Sequence, residues 1–137
     1  MAFVLDCSMT MAWVFSDEAN EFTEALRESL LKENAVAPVL WPIEVGNVLL
    51  VAMRRGRIAR EDWVRIRDDL GALPIDIDPD SYERVLDTVL PIADEFGLSV
   101  YDAMYLELAL RRGLPLATLD RKLIEAANTA GIETLCS

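Results

Sequence analysis

The chain contains no histidine. That absence excludes histidine-ligated zinc and every catalytic device that turns on an imidazole, Ser-His-Asp and Cys-His arrangements included. Cysteine is almost missing: Cys7 and Cys136 are too few for a disulfide framework and too distant for a CxxC site, so they read as ordinary thiols. No apolar run approaches the ~18 residues that a membrane helix requires. The longest, residues 48–53, stops at Arg54-Arg55. A basic region is missing from the N-terminus, where Asp6 also interrupts the apolar stretch, so the pattern of a secretory signal is not met and the expected location is the cytoplasm. Basic residues are in deficit as well. With 13 Lys and Arg against 24 Asp and Glu, the net charge is −11. A uniformly basic nucleic-acid-binding face is excluded, although a local basic patch is not.

What remains is a chain of 137 residues, 53% of them apolar. That length predicts one domain, residues 1–137, with a core large enough to fold without disulfides. Short apolar runs alternate with amphipathic stretches throughout. Residues 2–5, 35–37, 74–78, 114–119 and 132–135 read as strands. Helices are predicted over 8–15, from the start signal Ser16-Asp17-Glu18 through Leu30, from Pro42 to Arg55, and over 60–70. Further helices are predicted from Pro79 to Gly97 with a break near Pro91, over 100–112, and over 120–130. Regular alternation of this kind predicts an α/β fold, a parallel sheet flanked by helices, whose functional crevice lies at the carboxyl ends of the strands.

Acidic residues fall repeatedly at that edge. Asp6 ends the first strand, Glu44 lies in the first turn of the helix after the second strand, Asp102 opens another helix, and Asp120 follows the fourth strand. Each has a polar neighbour: Ser8, Asn47, Tyr101 and Thr118. Asn47 follows Glu44 by three residues and shares its helix face. Taken singly, an Asp at a helix start is commonly only a cap or a favourable charge at the helix dipole. Taken together, several carboxylates in one cleft repel each other, and a divalent cation relieves that repulsion. Oxygen ligands without nitrogen or sulfur favour Mg²⁺ or Mn²⁺. Such an ion suits hydrolysis of a phosphate ester.

Four stretches carry a family resemblance: FVLDCS at 3–8, PIEVGNVL at 42–49, LSVYDAMYLELA at 98–109 and LATLDRKL at 116–123. In order and spacing the chain resembles PIN-domain nucleases, particularly the VapC-type toxins of bacterial toxin–antitoxin pairs. The resemblance implies a three-layer α/β/α sandwich on a five-stranded, mainly parallel sheet. It implies metal-dependent endonucleolytic cleavage of RNA to 5′-phosphate and 3′-hydroxyl ends, a homodimer, and inhibition by a cognate antitoxin. The antitoxin would occupy a groove between the helices at 18–32 and 42–55.

On this footing Asp6, Asp102 and Asp120 are the expected metal ligands, and Glu44 either joins them or positions the attacking water. Ser8, Asn47 and Thr118 are expected to orient carboxylates or waters, although hydroxyls and amides also serve as plain caps. Arg54, Arg55, Arg57 and Arg60 form the densest basic cluster, and Arg121 lies near the acids in sequence. They are candidates for RNA phosphates, against the alternative of a solvated helix end. Trp13, Trp41 and Trp63 read as core or interface anchors rather than base-stacking platforms. Two other functions compete. A phosphoacceptor receiver domain would use Asp78 and Thr118, but the pair of adjacent acids it needs after the first strand and its late Lys are missing. A binding-only PIN-like module would leave the intact acids unexplained.

Overall fold

The computed structural model describes residues 2–137, so Met1 of the expected domain lies outside the described residues. The chain runs β1 (Phe3–Leu5), α1 (Cys7–Val14), α2 (Glu21–Ser29), β2 (Ala35–Pro38), α3 (Leu40–Arg54), α4 (Trp63–Gly71) and β3 (Ile75–Asp78). It continues through α5 (Leu90–Phe96), α6 (Val100–Arg112), β4 (Leu116–Ala117), α7 (Arg121–Thr129) and β5 (Thr134–Leu135). The strand order is β3-β2-β1-β4-β5, and every pairing is parallel.

Successive side chains of a strand point to opposite faces. Every residue of β1 and β2 is buried, so both faces of the central sheet are covered. That makes the three layers. On one side α1 packs with α2 and α3, and elsewhere α6 packs with α5, α7 and the strands β1, β2 and β4. The core gathers Phe3, Leu5, Met9, Leu106, Leu108, Leu116 and Leu123. Helix α6 is buried continuously from Ala103 to Ala109, which is why its sequence is apolar on all sides except Glu107.

The elements occur where the sequence places them, with four differences, one being that α3 opens at Leu40 rather than Pro42, which puts Glu44 in its second turn and not its first. The Ser16-Asp17-Glu18 signal opens only a 3-10 turn. Helix α2 begins later, because the Asn20 side chain accepts from the Thr23 N–H and the Thr23 hydroxyl accepts from the Asn20 N–H, both at 2.9 Å. That reciprocal box satisfies two donors that would otherwise be orphaned. The stretch after Pro79 is not one helix. It forms a 3-10 turn at Tyr82–Arg84, a π-helical turn at Val85–Val89, and then α5. Pro91 lacks an N–H to give the preceding turn, so the regular ladder cannot pass through it. The last two strands are shorter than their apolar runs, with two residues each.

The order places β4 directly beside β1, although 110 residues separate Ser8 from Thr118 beyond their ends. The chain leaves β1 toward β2 on one side and returns through β4 on the other. The crevice at this change of direction lies beyond the ends of β1 and β4, where Asp6 and Thr118 stand.

Candidate active site

Asp6 begins at the end of β1 and caps α1, accepting from the Met9 N–H at 2.9 Å. Ser8 donates to both carboxylate oxygens, at 2.8 and 2.9 Å, and the Thr118 hydroxyl donates across from β4. Ser8 and Thr118 are themselves fixed. Ser8 Oγ accepts from the Leu119 N–H at 2.9 Å, and Thr118 Oγ1 accepts from the Asp120 N–H at 3.0 Å. A buried carboxylate is thus held rigidly by hydroxyls from two adjacent strand ends.

Asp120 caps α7 through one oxygen, which accepts from the Leu123 N–H at 3.0 Å. Asp102 sits in the first turn of α6, behind the cap Ser99, whose hydroxyl accepts from the Asp102 N–H. Glu44 in α3 accepts a short hydrogen bond, 2.5 Å, from the hydroxyl of Tyr105. Capping and function coexist here. Asp6 and Asp120 are both true N-caps and both face the same cavity.

That cavity, about 340 Å³, is lined by Asp6, Ser8, Glu44, Asp102, Tyr105 and Asp120, among others. The structure therefore brings all four sequence-predicted acids to one place, with Thr118 bonded beneath Asp6. Asn47 is not among them: it is exposed and lines an adjoining hollow with Arg55. Arg57 does line the acidic cavity, whereas Arg54 and Arg121 are exposed and do not. Tyr105 was missed at the level of sequence. Its signal was the spacing of three from Asp102, which puts both on one face of α6.

The electrostatics are those of crowded acids. Burial pushes Asp6 up to about 6, against the pull of Thr118, Met9 and Ser8, with Asp120 adding to the rise. Burial also raises Glu44, where Tyr105 pulls down and Asp102 pushes up. Asp102 is raised by burial and then by Asp120, with Ser99 and Lys122 opposing. Cys7 shares the cavity, and burial with Glu44 and Asp6 drives its thiol up to about 12, so it stays protonated and inert.

Among the described residues no three acidic or thiol side chains converge into a ready-made metal cage. The donor set nevertheless fits a hard divalent cation. Five carboxylates, Glu18 included, and two hydroxyls line one hollow, burial disfavours ionisation of Asp6, Glu44 and Asp102, and one oxygen of Asp120 accepts no hydrogen bond from the described residues. Mg²⁺ is held by few carboxylates and keeps its waters, so a tight cage is not required.

Asp78, the acid a receiver domain would need, is otherwise engaged. Although burial pushes it up, hydrogen bonds from Arg111, Ser81 and Arg112 hold it well below the usual carboxylate range. Trp41 is buried and bonds Thr10, Trp13 bonds the Thr23 carbonyl, and Trp63 lines an apolar groove between α3, α4 and β3 that contains none of the four acids.

The sequence profile of the PIN domain covers residues 3–128. The chain belongs to the PIN-domain family. Within it, the chain is 30% identical to Ribonuclease VapC3 of Pyrobaculum aerophilum over 125 residues, 91% of this chain and 94% of that one. A crystal structure of a protein from Pyrobaculum aerophilum superimposes with a TM-score of 0.66 at 28% identity, covering 98% of this chain and 92% of that chain. One chain of a toxin–antitoxin complex from Klebsiella pneumoniae shares the fold, with a TM-score of 0.58 at 18% identity and 89% coverage of each chain. No helix of this PIN domain, among the described residues, is long and apolar enough to cross a membrane.

Proposed function

We propose that this PIN domain is a metal-dependent endoribonuclease and the toxin of a toxin–antitoxin pair. One observation carries the proposal: Asp6, Glu44, Asp102 and Asp120, from four distant segments, line a single cavity at the switch point of the sheet. The relatives support the substrate and the setting, one being named a ribonuclease and another being part of a toxin–antitoxin complex.

Asp6, Asp102 and Asp120 would hold Mg²⁺ or Mn²⁺, with Glu44 beside them. The ion supplies charge stabilisation at the phosphate and lowers the pKa of water. The protein's own part is positioning. Ser8, Thr118 and the Met9 N–H fix both oxygens of Asp6, so no rotamer search precedes binding. Tyr105 engages one Glu44 oxygen and leaves the other to accept a proton or orient a water in the cavity. Covered faces on both sides of the sheet confine solvent to the cavity itself.

The remaining partners follow from exposed surfaces. Tyr82, Leu86 and Leu90 recur every four residues and are all exposed, a stripe suited to a homodimer contact. A cognate antitoxin segment would lie along the early helices, with a basic side chain competing for the acids.

The test is cleavage of end-labelled linear RNA and of circular RNA by the purified chain, with Mg²⁺, with Mn²⁺ and in EDTA. Cutting of the circle is expected with metal and not in EDTA, and Asp102→Asn should abolish it while the protein stays folded. Trimming from ends with the circle untouched would make it an exonuclease. RNA binding without cleavage at any metal concentration would make it a binding module.

A further inference from the structure

We propose that Arg57 is the residue of this site that grips an RNA phosphate, and that Asp17 and Glu18 occupy it in place of that phosphate until RNA arrives; the proposal rests on the ribonuclease reading of the cavity. A phosphodiester chain cannot approach the five carboxylates of the cavity without a cation to receive it, and the protein carries a net charge of −11. Among the residues lining the acidic cavity Arg57 is the sole Arg or Lys.

Its position is built, not incidental. Helix α3 ends in a turn at Gly56, whose φ of 73° suits glycine. The Gly56 N–H returns to the Met53 carbonyl at 3.1 Å and the Arg57 N–H to the Ala52 carbonyl at 2.8 Å. Those two bonds fold Arg57 back over the end of α1. There its guanidinium lies 3.7 Å from the centroid of the Phe15 ring. Phe15 is buried and cannot swing away, so it is a fixed platform.

The guanidinium is only half used. Nη2 reaches both oxygens of Asp17, at 2.9 and 3.0 Å, and Glu18 at 2.8 Å. Nε and Nη1 make no hydrogen bond among the described residues, so three N–H groups remain for a phosphate, and each bidentate fork, Nε with Nη2 or Nη1 with Nη2, is completed only when Nη2 leaves Asp17 and Glu18. The ion pairs that hold Nη2 are solvent-exposed, with Asp17 74% accessible, and such pairs exchange readily. Carboxylate oxygens on Arg57 imitate phosphate oxygens and keep the arm in place without closing the site. Glu18 also lines the cavity, so it adds to the negative field that an RNA phosphate must overcome.

The experiment uses the full chain. Binding of a fluorescent single-stranded oligoribonucleotide is measured by anisotropy in EDTA across a salt series, and KM and kcat are measured for its cleavage in Mn²⁺. Arg57→Ala should weaken binding roughly tenfold and lower the slope of log affinity against log salt by about 0.7, the value for one phosphate contact on a single strand. KM should rise more than kcat falls. Arg57→Lys should fall between, because it keeps the charge and loses the fork. Asp17→Asn with Glu18→Gln should tighten binding severalfold when Arg57 is present and by a clearly smaller factor in the Arg57→Ala background, where only the weaker negative field acts. Asp68→Asn with Asp69→Asn, the same charge change on α4, should have little effect in either background. Wild-type affinity and slope in Arg57→Ala, with an unchanged melting temperature, would overturn the proposal. So would an equal gain from the Asp17/Glu18 change in both backgrounds, since that is plain repulsion, and so would absence of RNA binding by the wild type. Failure of the wild type to cleave, with the binding differences intact, would overturn the nuclease reading alone.

Discussion

Asp6 offers the sharpest test of why the acids are there, because capping and metal binding predict opposite signs when it is neutralised. Its folded pKa is about 6, against an ordinary value of 3.8, and burial is the main cause. A shift of about 2 units corresponds to about 3 kcal/mol. The native state therefore binds more protons than the unfolded chain between about pH 4 and 6. Stability is complete below the unfolded value and is lost as pH rises through the folded one. In EDTA at pH 8 the whole penalty is present. Asp6→Asn removes it and keeps an oxygen for the Met9 N–H. The Ser8 and Thr118 hydroxyls must turn, at a cost of about 1 kcal/mol. The metal-free variant should thus be more stable than the wild type at pH 8 by about 2 kcal/mol, roughly 5–10 °C in melting temperature. Below pH 4 the order should reverse. Asp78 is displaced in the other direction and loses its stabilising ionisation only as pH falls, in both proteins alike, so it cancels from the comparison. Added Mn²⁺ should raise the wild-type transition and hardly move the variant. Thermal melts at pH 4, 6 and 8, in EDTA and in Mn²⁺, suffice. A variant less stable than the wild type by the same amount at every pH would refute the reasoning and make Asp6 a cap and nothing more.

Tyr105→Phe removes the donor that lowers Glu44, so the acid limb of the cleavage profile should move to higher pH, and stability should drop by about 1.5–3 kcal/mol for a bond to a charged group; a pH–rate profile and a denaturant titration check both. Thr118→Val deprives Asp6 of its hydrogen bond from β4, which should raise Asp6 further and weaken metal affinity roughly 10–100-fold, read by titrating the Mn²⁺ dependence of melting or cleavage. Arg111→Met strips buried Glu107, 2% exposed, and buried Asp78 of a shared hydrogen-bond partner and should cost about 3–5 kcal/mol at neutral pH, read by a denaturant titration. An Arg111→Met protein as stable as the wild type at neutral pH would show that the ion pair adds nothing to stability.

Much of this protein is legible along the chain because its signals are local. Apolar runs of strand length, amphipathic stretches, Gly56 after α3 and the Asp6 and Asp120 caps are each decided within a few residues, by backbone sterics and by hydrogen-bond donors that need partners. The absence of histidine, the excess of acid and the recurrence of acids after strands narrowed the chemistry before any contact was known. Local signals misled where two candidates competed over a short distance. Ser16-Asp17-Glu18 has the residues of a helix start, but the reciprocal bonds of Asn20 and Thr23 are the better cap, and α2 begins there.

Only the tertiary structure decided which acids meet and what holds them. No periodicity in the sequence states that β4 lies beside β1, because strand order depends on how helices cover both faces of the sheet. Yet that neighbourhood is what lets Thr118 reach Asp6 across 112 residues. The role of Tyr105 depends on the approach of α6 to α3, which sets its hydroxyl on Glu44, 61 residues away. Four neighbouring arginines look alike in sequence as the basic end of a helix, and the turn at Gly56 sends Arg57 alone onto Phe15 and into the acidic cavity. Asn47 lies three residues beyond Glu44, but the α3 wall of the cavity is made by Glu44 and Val48, and Asn47 lines the adjoining hollow. Residue types and their order determined the chemistry available to this protein, since oxygen ligands and caps are properties of side chains and short segments. Packing determined which of those side chains act together, since contacts between distant segments form only when the whole core closes.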